Sequence, residues 1–436
     1  MNMWLNKTYN HPYFRKGMDW VKLIGVTGSA QVIIQTIGFI CGIIVIRMLP
    51  THEYALYTLG NTFLGTMLIL ANGGIATGVM AQGGKVWRDK EKLGVVMSTG
   101  LDLRKKFAII TLIGAIPILM YLLIKNEASW LMTILIVLAL IPAFISALSA
   151  SMLEIVPKLQ QDIVPLQKNQ LAINFGRLLL LGLIIFIFPF AFIAILASGI
   201  PQVWGNFNLR KIASKHIDLK QKPSETVRSN ILATVKRIYP QAVYSSFSGQ
   251  ITIWLLSIFG STTSIAQIGA LGRIAMVLSL VTIIFSTLVA PRFARLEENF
   301  KILLKRFVQI HLLVFVFFSF IILLVYLFPN QILFVLGPKY GNLQNEIILV
   351  MIGSSLTIFS GIIYSLYSQR GWILNPVISI FLNIGTLILA ILLTDISTLH
   401  GVLVLDIIVW SILLFINSFY GFFKIFKLKK AFISTD

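Results

Sequence analysis

The sequence predicts an all-α, polytopic membrane protein of about twelve spans, arranged as two six-helix lobes around a central cavity. Three observations carry this expectation: apolar runs too long for a soluble core, charge too sparse for a soluble surface, and basic residues confined to alternate loops. Of the 436 residues, 57% are hydrophobic and 12% charged, and the mean hydropathy is +0.87. Soluble chains carry roughly 25% charged residues. Runs such as 107–124, 178–197 and 314–328 read as spans, because about 20 apolar residues rising ~1.5 Å each cross a hydrocarbon layer of roughly 30 Å.

Reading apolar runs between polar breaks places the spans near 22–48, 54–82, 104–124, 129–152, 169–187, 189–208, 231–258, 263–290, 307–328, 346–367, 373–393 and 400–423. Spans five and six are divided only at Phe188–Pro189, which demands a tight turn. The tail 1–21 lacks the short apolar core and cleavage site of a signal peptide, so the first span is expected to stay in place. With a cytoplasmic N-terminus, about 29 of the 36 Lys and Arg fall in inner segments, and the outer loops hold Lys125 and Lys339, with Arg47 at a span end. Basic residues favour the cytoplasmic side, so the net charge of +20 reads as topology and as attraction to anionic membrane lipids, not as nucleic-acid binding.

The hydrophilic stretch 209–230 (LRKIASKHIDLKQKPSETVRSN) divides the chain. The expected organisation is a cytoplasmic tail (1–21), an N-lobe (22–208), a cytoplasmic linker (209–230), a C-lobe (231–423) and a cytoplasmic C-terminal tail (424–436). Six spans per lobe makes any repeat parallel. At an offset of 210, Gln31 falls on Gln241 and Gln35 on Ser245. The outer loops are short, the longest near 329–345, which leaves no room for the external domain that a glycan polymerase or ligase would need.

Ionisable residues inside spans are costly, roughly 2.5–3.5 kcal/mol at a helix centre, and are functional candidates for that reason. Arg273 lies deep in span eight beside Gln267, Gly269 and Gly272; a substrate contact competes there with a structural contact to carbonyls or to Asp406. Arg177 follows Asn174 and Gly176 in span five, where snorkelling toward the cytoplasm is the alternative. Lys236 and Arg237 open span seven ahead of Tyr239, Gln241, Tyr244, Ser245, Ser246 and Gln250, a helix too polar to face lipid all round; both cations also suit an interfacial anchor. Arg47 ends span one with the same two readings. Gln31 and Gln35 share one helix face. Carboxylates are scarce: Asp406 in span twelve, with Glu346 and Asp395 near span ends. A cationic drug exporter usually needs an intramembrane carboxylate, whereas buried Arg and Lys suit a phosphate or pyrophosphate. The histidines are scattered, the one cysteine (Cys41) lies within span one, and no HExxH, P-loop or GxSxG is present. No enzyme activity, cofactor or metal is expected. Asn72-Gly73-Gly74 reads as a bending or close-packing position.

The stretch 28–65 (GSAQVIIQTIGFICGIIVIRMLPTHEYALYTLGNTFLG) resembles the N-terminal signature of the polysaccharide transporters, which include the Wzx-type O-antigen flippases of the multidrug/oligosaccharidyl-lipid/polysaccharide (MOP, MATE-like) exporter superfamily. The matching positions are Arg47-Met48-Leu49, Glu53-Tyr54 and Ala55-Leu56-Tyr57, with Ala55 where the family has Gly; Asn72-Gly73-Gly74 stands at its small-residue motif and IGALGRIAMVL resembles its eighth helix. The resemblance implies a MOP/MATE-like fold. It also implies a flippase for undecaprenyl-pyrophosphate-linked repeat units of O-antigen or capsule type, multi-pass in the bacterial cytoplasmic (inner) membrane, with both termini cytoplasmic. Its partners would be the lipid-linked oligosaccharide, membrane lipids and other glycan assembly proteins. Arg273, Arg177, Lys236, Arg237 and Arg47 would meet the pyrophosphate, and Gln31, Gln35, Gln241, Ser245 and Gln250 the sugar hydroxyls. The alternatives are a cation/drug antiporter of the same superfamily and a membrane glycan polymerase or ligase.

Overall fold

The computed structural model describes residues 12–433, apart from 219, 286–288, 295, 369, 371 and 373–375. The described chain is helical throughout, and each expected span contains helix. Among the described residues, eight helices are long and apolar enough to cross a membrane, or nine if a pair bent by 55° around Gly249–Gln250 counts as one. The remaining expected spans are helical too. Those at spans five and six carry polar residues such as Lys168, Asn169, Gln170, Gln202 and Asn206, which lower their hydropathy, and that at span eleven is short.

The helices form two units, residues 12–53 with 60–249 and residues 54–59 with 250–433. The first unit contains α1 (Pro12–Met48), most of α2 (Thr51–Asn72), α3 (Ile75–Val86), α4 (Lys90–Lys125), α5 (Trp130–Leu153), α6 (Ile155–Leu159), α7 (Ile163–Ile184), α8 (Ala191–Ser214) and α9 (Glu225–Ser248). Helix α4 starts fourteen residues ahead of the expected span at 104, because Asp89 caps it: the carboxylate accepts from the backbone N–H groups of Glu91 and Lys92 at 3.1 Å each. The tight turn expected at Phe188–Pro189 joins α7 to α8. There Glu53 Oε2 accepts from the Ala191 backbone N–H at 2.8 Å, a carboxylate at a helix N-terminus. Glu53→Ala is expected to lower stability by about 1 kcal/mol, read as an earlier thermal unfolding midpoint of the purified protein; an unchanged midpoint would contradict this cap.

Span two is broken. Gly73 and Gly74 have positive φ (46° and 91°), a conformation that residues with a Cβ adopt only at a cost. The break admits α9: a Cβ on Gly73 would lie 2.6 Å from the Tyr239 ring, and one on Gly74 2.9 Å from Ile238. Tyr239 also packs edge-on against Phe107 at 5.8 Å. The segment 209–230 docks on the N-terminal half of α4. The Asp218 N–H donates to Lys90 O at 3.2 Å, the Ser224 N–H to Thr99 Oγ1 at 2.9 Å, and Arg228 pairs with Asp102 at 2.8 Å. The Lys220 backbone N–H, followed by the Gln221 amide, holds the Asp218 carboxyl below the usual carboxylate range. Helix α9 therefore packs with the first unit through its whole length.

The second unit contains residues 54–59 of α2, then α10 (Ile251–Phe259), α11 (Thr262–Ala275), α12 (Ser279–Ile284), α13 (Ala290–Ala294), α14 (Phe300–Leu327), α15 (Pro329–Leu336), α16 (Gln344–Ser368), α17 (Pro376–Leu393) and α18 (Leu399–Ile433). Its main seam joins α16 and α18. Tyr367 Oη donates to Asn417 Oδ1 at 2.7 Å, and Asn417 Nδ2 donates to Ser360 Oγ at 2.8 Å. The His311 ring packs on Phe307 at 4.4 Å and lies 3.2 Å from Ser418 Oγ.

Candidate functional site

Each unit holds its own polar constellation within the spans. In the second unit, Arg273 on α11 is half-buried and hydrogen-bonds the Tyr54 side chain. Tyr54 stacks on Tyr57 with centroids 6.0 Å apart and meets Tyr340 edge-on at 6.4 Å, and all three tyrosines are buried. Helices α2 and α11 approach closely here, since a Cβ on Gly269 would lie 2.5 Å from Thr58 Oγ1. The small residues beside Arg273 thus make room for α2. Asp406 receives its hydrogen bond from Trp410 Nε1 at 3.1 Å, and its Oδ2 abuts Gly353 so closely that a Cβ there would be 2.8 Å away.

In the first unit, Gln31 of α1 faces α7. Its Nε2 donates to Gln167 Oε1 at 3.3 Å and to Gln170 Oε1 at 3.2 Å. Gln170 Nε2 donates in turn to Glu154 Oε1 at 3.0 Å, and Glu154 Oε2 takes Lys158 Nζ at 2.8 Å. Arg177, two turns along α7 from Gln170, is half-buried and its Nε is buried without a partner.

The other expected contacts are placed differently. Lys236 and Arg237 are exposed on α9, and Arg47 is exposed in the last turn of α1, where a cation complements the helix dipole. Gln250 is half-buried at the start of α10 and makes no side-chain cap. The side chains of Gln241 and Ser245 lie outside the described residues. The structure therefore joins Gln31 to α7, the helix that carries Arg177, and sets Arg273 among tyrosines.

One buried cation was not among the expected site residues. Arg104, counted by sequence with the inner basic segment 83–106, is only 3% exposed. Its Nη1 donates to Leu148 O at 2.6 Å and Ser151 Oγ at 2.8 Å, and its Nη2 bonds Asn72 Oδ1. Asn72 Oδ1 also accepts from the Ala76 N–H at 3.3 Å, so Asn72 ties Arg104 to the far side of the break in span two. Gln167, Gln170 and Asn174 were missed as a group too, although their spacing puts them on one face of α7.

No family model matches the chain, and no curated protein matches it. Solved structures do. An inward-facing multidrug resistance MATE family transporter of the MOP superfamily superposes with TM-score 0.70 at 15% identity, covering 91% of this chain and 96% of that one. The outward-facing form of such a transporter gives 0.62 at 16%, covering 94% and 96%. A MOP superfamily transporter from Pyrococcus furiosus, described as having a binding pocket of reverse polarity that suggests a different function, gives 0.60 at 16%, covering 93% and 94%. The chain is thus a multi-span membrane protein with the fold of the MOP superfamily transporters. The inward- and outward-facing neighbours are described as multidrug resistance MATE family transporters.

Proposed function

We propose that the protein is a flippase that moves undecaprenyl-pyrophosphate-linked oligosaccharide repeat units, of O-antigen or capsule type, across the bacterial cytoplasmic membrane by alternating access. The termini face the cytoplasm in this reading, as the placement of basic residues favours. The observation that carries it is the sign of the charge inside the spans. Arg177 lies well within α7 and Arg273 in the last turn of α11, ahead of further helical residues to 284, while the carboxylate in α18, Asp406, is engaged by Trp410. An anionic headgroup offsets the cost of holding guanidinium groups away from water, whereas a cationic cargo adds to it. In the first unit Arg177 would meet the pyrophosphate and Gln31 and Gln35 the sugar hydroxyls, with Lys236, Arg237 and Arg47 drawing the headgroup in from the membrane surfaces; in the second unit Arg273 would meet the pyrophosphate and Gln250 the sugar hydroxyls. The neighbour from Pyrococcus furiosus, whose pocket of reverse polarity is described as suggesting a different function, supports the idea that pocket polarity varies on this fold.

A cation/drug antiporter is the second reading. Asp406 and the multidrug transporters among the structural neighbours favour it. Proteoliposomes separate the two. A flippase translocates a fluorescent polyprenyl-pyrophosphate-linked sugar between leaflets and leaves ethidium where it is; an antiporter does the reverse, and that result would overturn the proposal. A polymerase or ligase would instead extend or transfer the glycan in the same vesicles.

A further inference from the structure

Of the described histidines, His52 and His400 stand at helix starts and His216 in the segment 209–230. His311 alone among them lies inside a span, eleven residues into α14 and about 16 Å along its axis. No role in cargo binding falls to it. Aromatic contacts fix its surroundings. Phe300 meets Phe426 at 5.4 Å and Phe307 meets Phe422 at 4.9 Å, so residue numbers fall along α18 as they rise along α14, and the two helices run antiparallel. Gly421 lets them close, since a Cβ there would lie 2.5 Å from the Phe307 ring. The His311 ring sits between Phe307 at 4.4 Å, Phe422 at 5.5 Å and Phe359 of α16 at 5.7 Å.

Both ring nitrogens face oxygen. Nδ1 lies 2.9 Å from Phe307 O; a carbonyl only accepts, so Nδ1 carries a hydrogen. Nε2 lies 3.2 Å from Ser418 Oγ, and a hydroxyl both donates and accepts. In the neutral ring, Nε2 takes the Ser418 hydrogen. A proton arriving from water bonds to the Nε2 lone pair instead. The Ser418 hydroxyl then turns to accept from Nε2–H and offers its own hydrogen to a carbonyl one turn back, as helical serines do. No heavy atom has to move. Nor does a fixed charge choose between the two forms, because among the described residues no Lys, Arg, Asp or Glu bonds the ring. On α16, Tyr367 donates to Asn417. On α18, Asp406 takes Trp410, and Lys424 sits over the Tyr420 ring at 5.4 Å. Arg306 of α14 bonds Gln309, and Lys305 and Arg292 are exposed. A fourth phenylalanine would fill this place at no polar cost, whereas an imidazole within a span is expensive to keep.

We propose that His311 is a reversible proton-binding site of the second unit, met by Ser418 in both charge states, and that its occupancy makes transport depend on pH. The charge appears where α14, α16 and α18 join, so proton uptake alters how α14 packs on the other two. The site is independent of the cargo's identity.

NMR of the full-length protein in nanodiscs, with ring-¹⁵N histidine and a titration from about pH 5 to 8.5, reads the site directly. His311→Phe or His311→Gln identifies the signal by its loss. The His311 ring is expected to pass from the Nδ1–H form to the doubly protonated form within that range. Ser418→Ala displaces the midpoint by about half a pH unit or more, roughly threefold in proton affinity. A ring that keeps its Nδ1–H shifts throughout is a neutral packing residue, and the site is overturned. The second readout is the pH profile of probe translocation in proteoliposomes. Wild type is expected to change rate severalfold across the titration, and His311→Phe and His311→Gln to flatten the profile. Equal profiles in wild type and both variants would overturn the role in transport. Where no polyprenyl probe moves at all, the flippase reading fails instead, and the ring titration decides the proton site by itself.

Discussion

Arg104→Ala is expected to destabilise the first unit by about 2–3 kcal/mol. Hydrogen bonds between membrane helices average only about 0.6 kcal/mol, but Arg104 joins three helices through one charged fork. Charge-assisted bonds contribute roughly 1.5–3 kcal/mol each when their partners are left unmet. Loss of the guanidinium leaves Asn72 Oδ1 with the Ala76 N–H and Leu148 O with Ser151 Oγ, so part of the cost is recovered and the total stays below a simple sum. Arg104→Lys keeps the charge but not the fork and should fall between. Thermal unfolding of the purified variants reads the order wild type, Lys, Ala; an Ala variant as stable as wild type would mean the network does not hold the α2–α3 break.

Gly73→Ala should cost about 2–3 kcal/mol through two separable effects. A φ of 46° costs a Cβ-bearing residue roughly 1–2 kcal/mol, and the new methyl would press on the Tyr239 ring from 2.6 Å. Overpacking of that kind costs about 1–3 kcal/mol, reduced here because a ring can shift. A double-mutant cycle isolates the second effect. In the background of Tyr239→Ala, Gly73→Ala should retain only the backbone cost. Equal penalties in both backgrounds would show that Tyr239 does not fill the break.

These two positions also mark what was legible in the sequence. The helices were, because hydropathy is a one-dimensional signal, and eight or nine of the described ones are long and apolar enough to cross a membrane. Asn72-Gly73-Gly74 was readable as a bend, since consecutive glycines inside an apolar run serve little else. Arg104 was not: next to Lys105 and Lys106 at the start of an apolar run, it looks like one more cytoplasmic charge, and only Asn72 and Leu148, 32 and 44 residues away in the chain, reveal its burial. The docking of Arg228 on Asp102 spans 126 residues and left no local trace. The face of α7 is intermediate. Its period was in the sequence, but Arg177 weighed alone resembles a snorkelling cation, and it takes Gln31 on a neighbouring helix to show which side of α7 turns toward protein.

Depth within the fold separates the expected cations in the same way. Lys236 and Arg237 face outward on α9, as interfacial residues do, whereas Arg177 and Arg273 are half-buried. A proposal based on the sign of intramembrane charge therefore rests on those two and not on the basic surplus of the whole chain.

The most direct measurement is the leaflet distribution of lipid-linked repeat units in cells lacking the protein, scored by a membrane-impermeant sugar label on intact and on opened spheroplasts. A flippase predicts single repeat units that accumulate on the cytoplasmic leaflet and are labelled only after opening. Single units labelled on intact spheroplasts, or no accumulation at all, would contradict it.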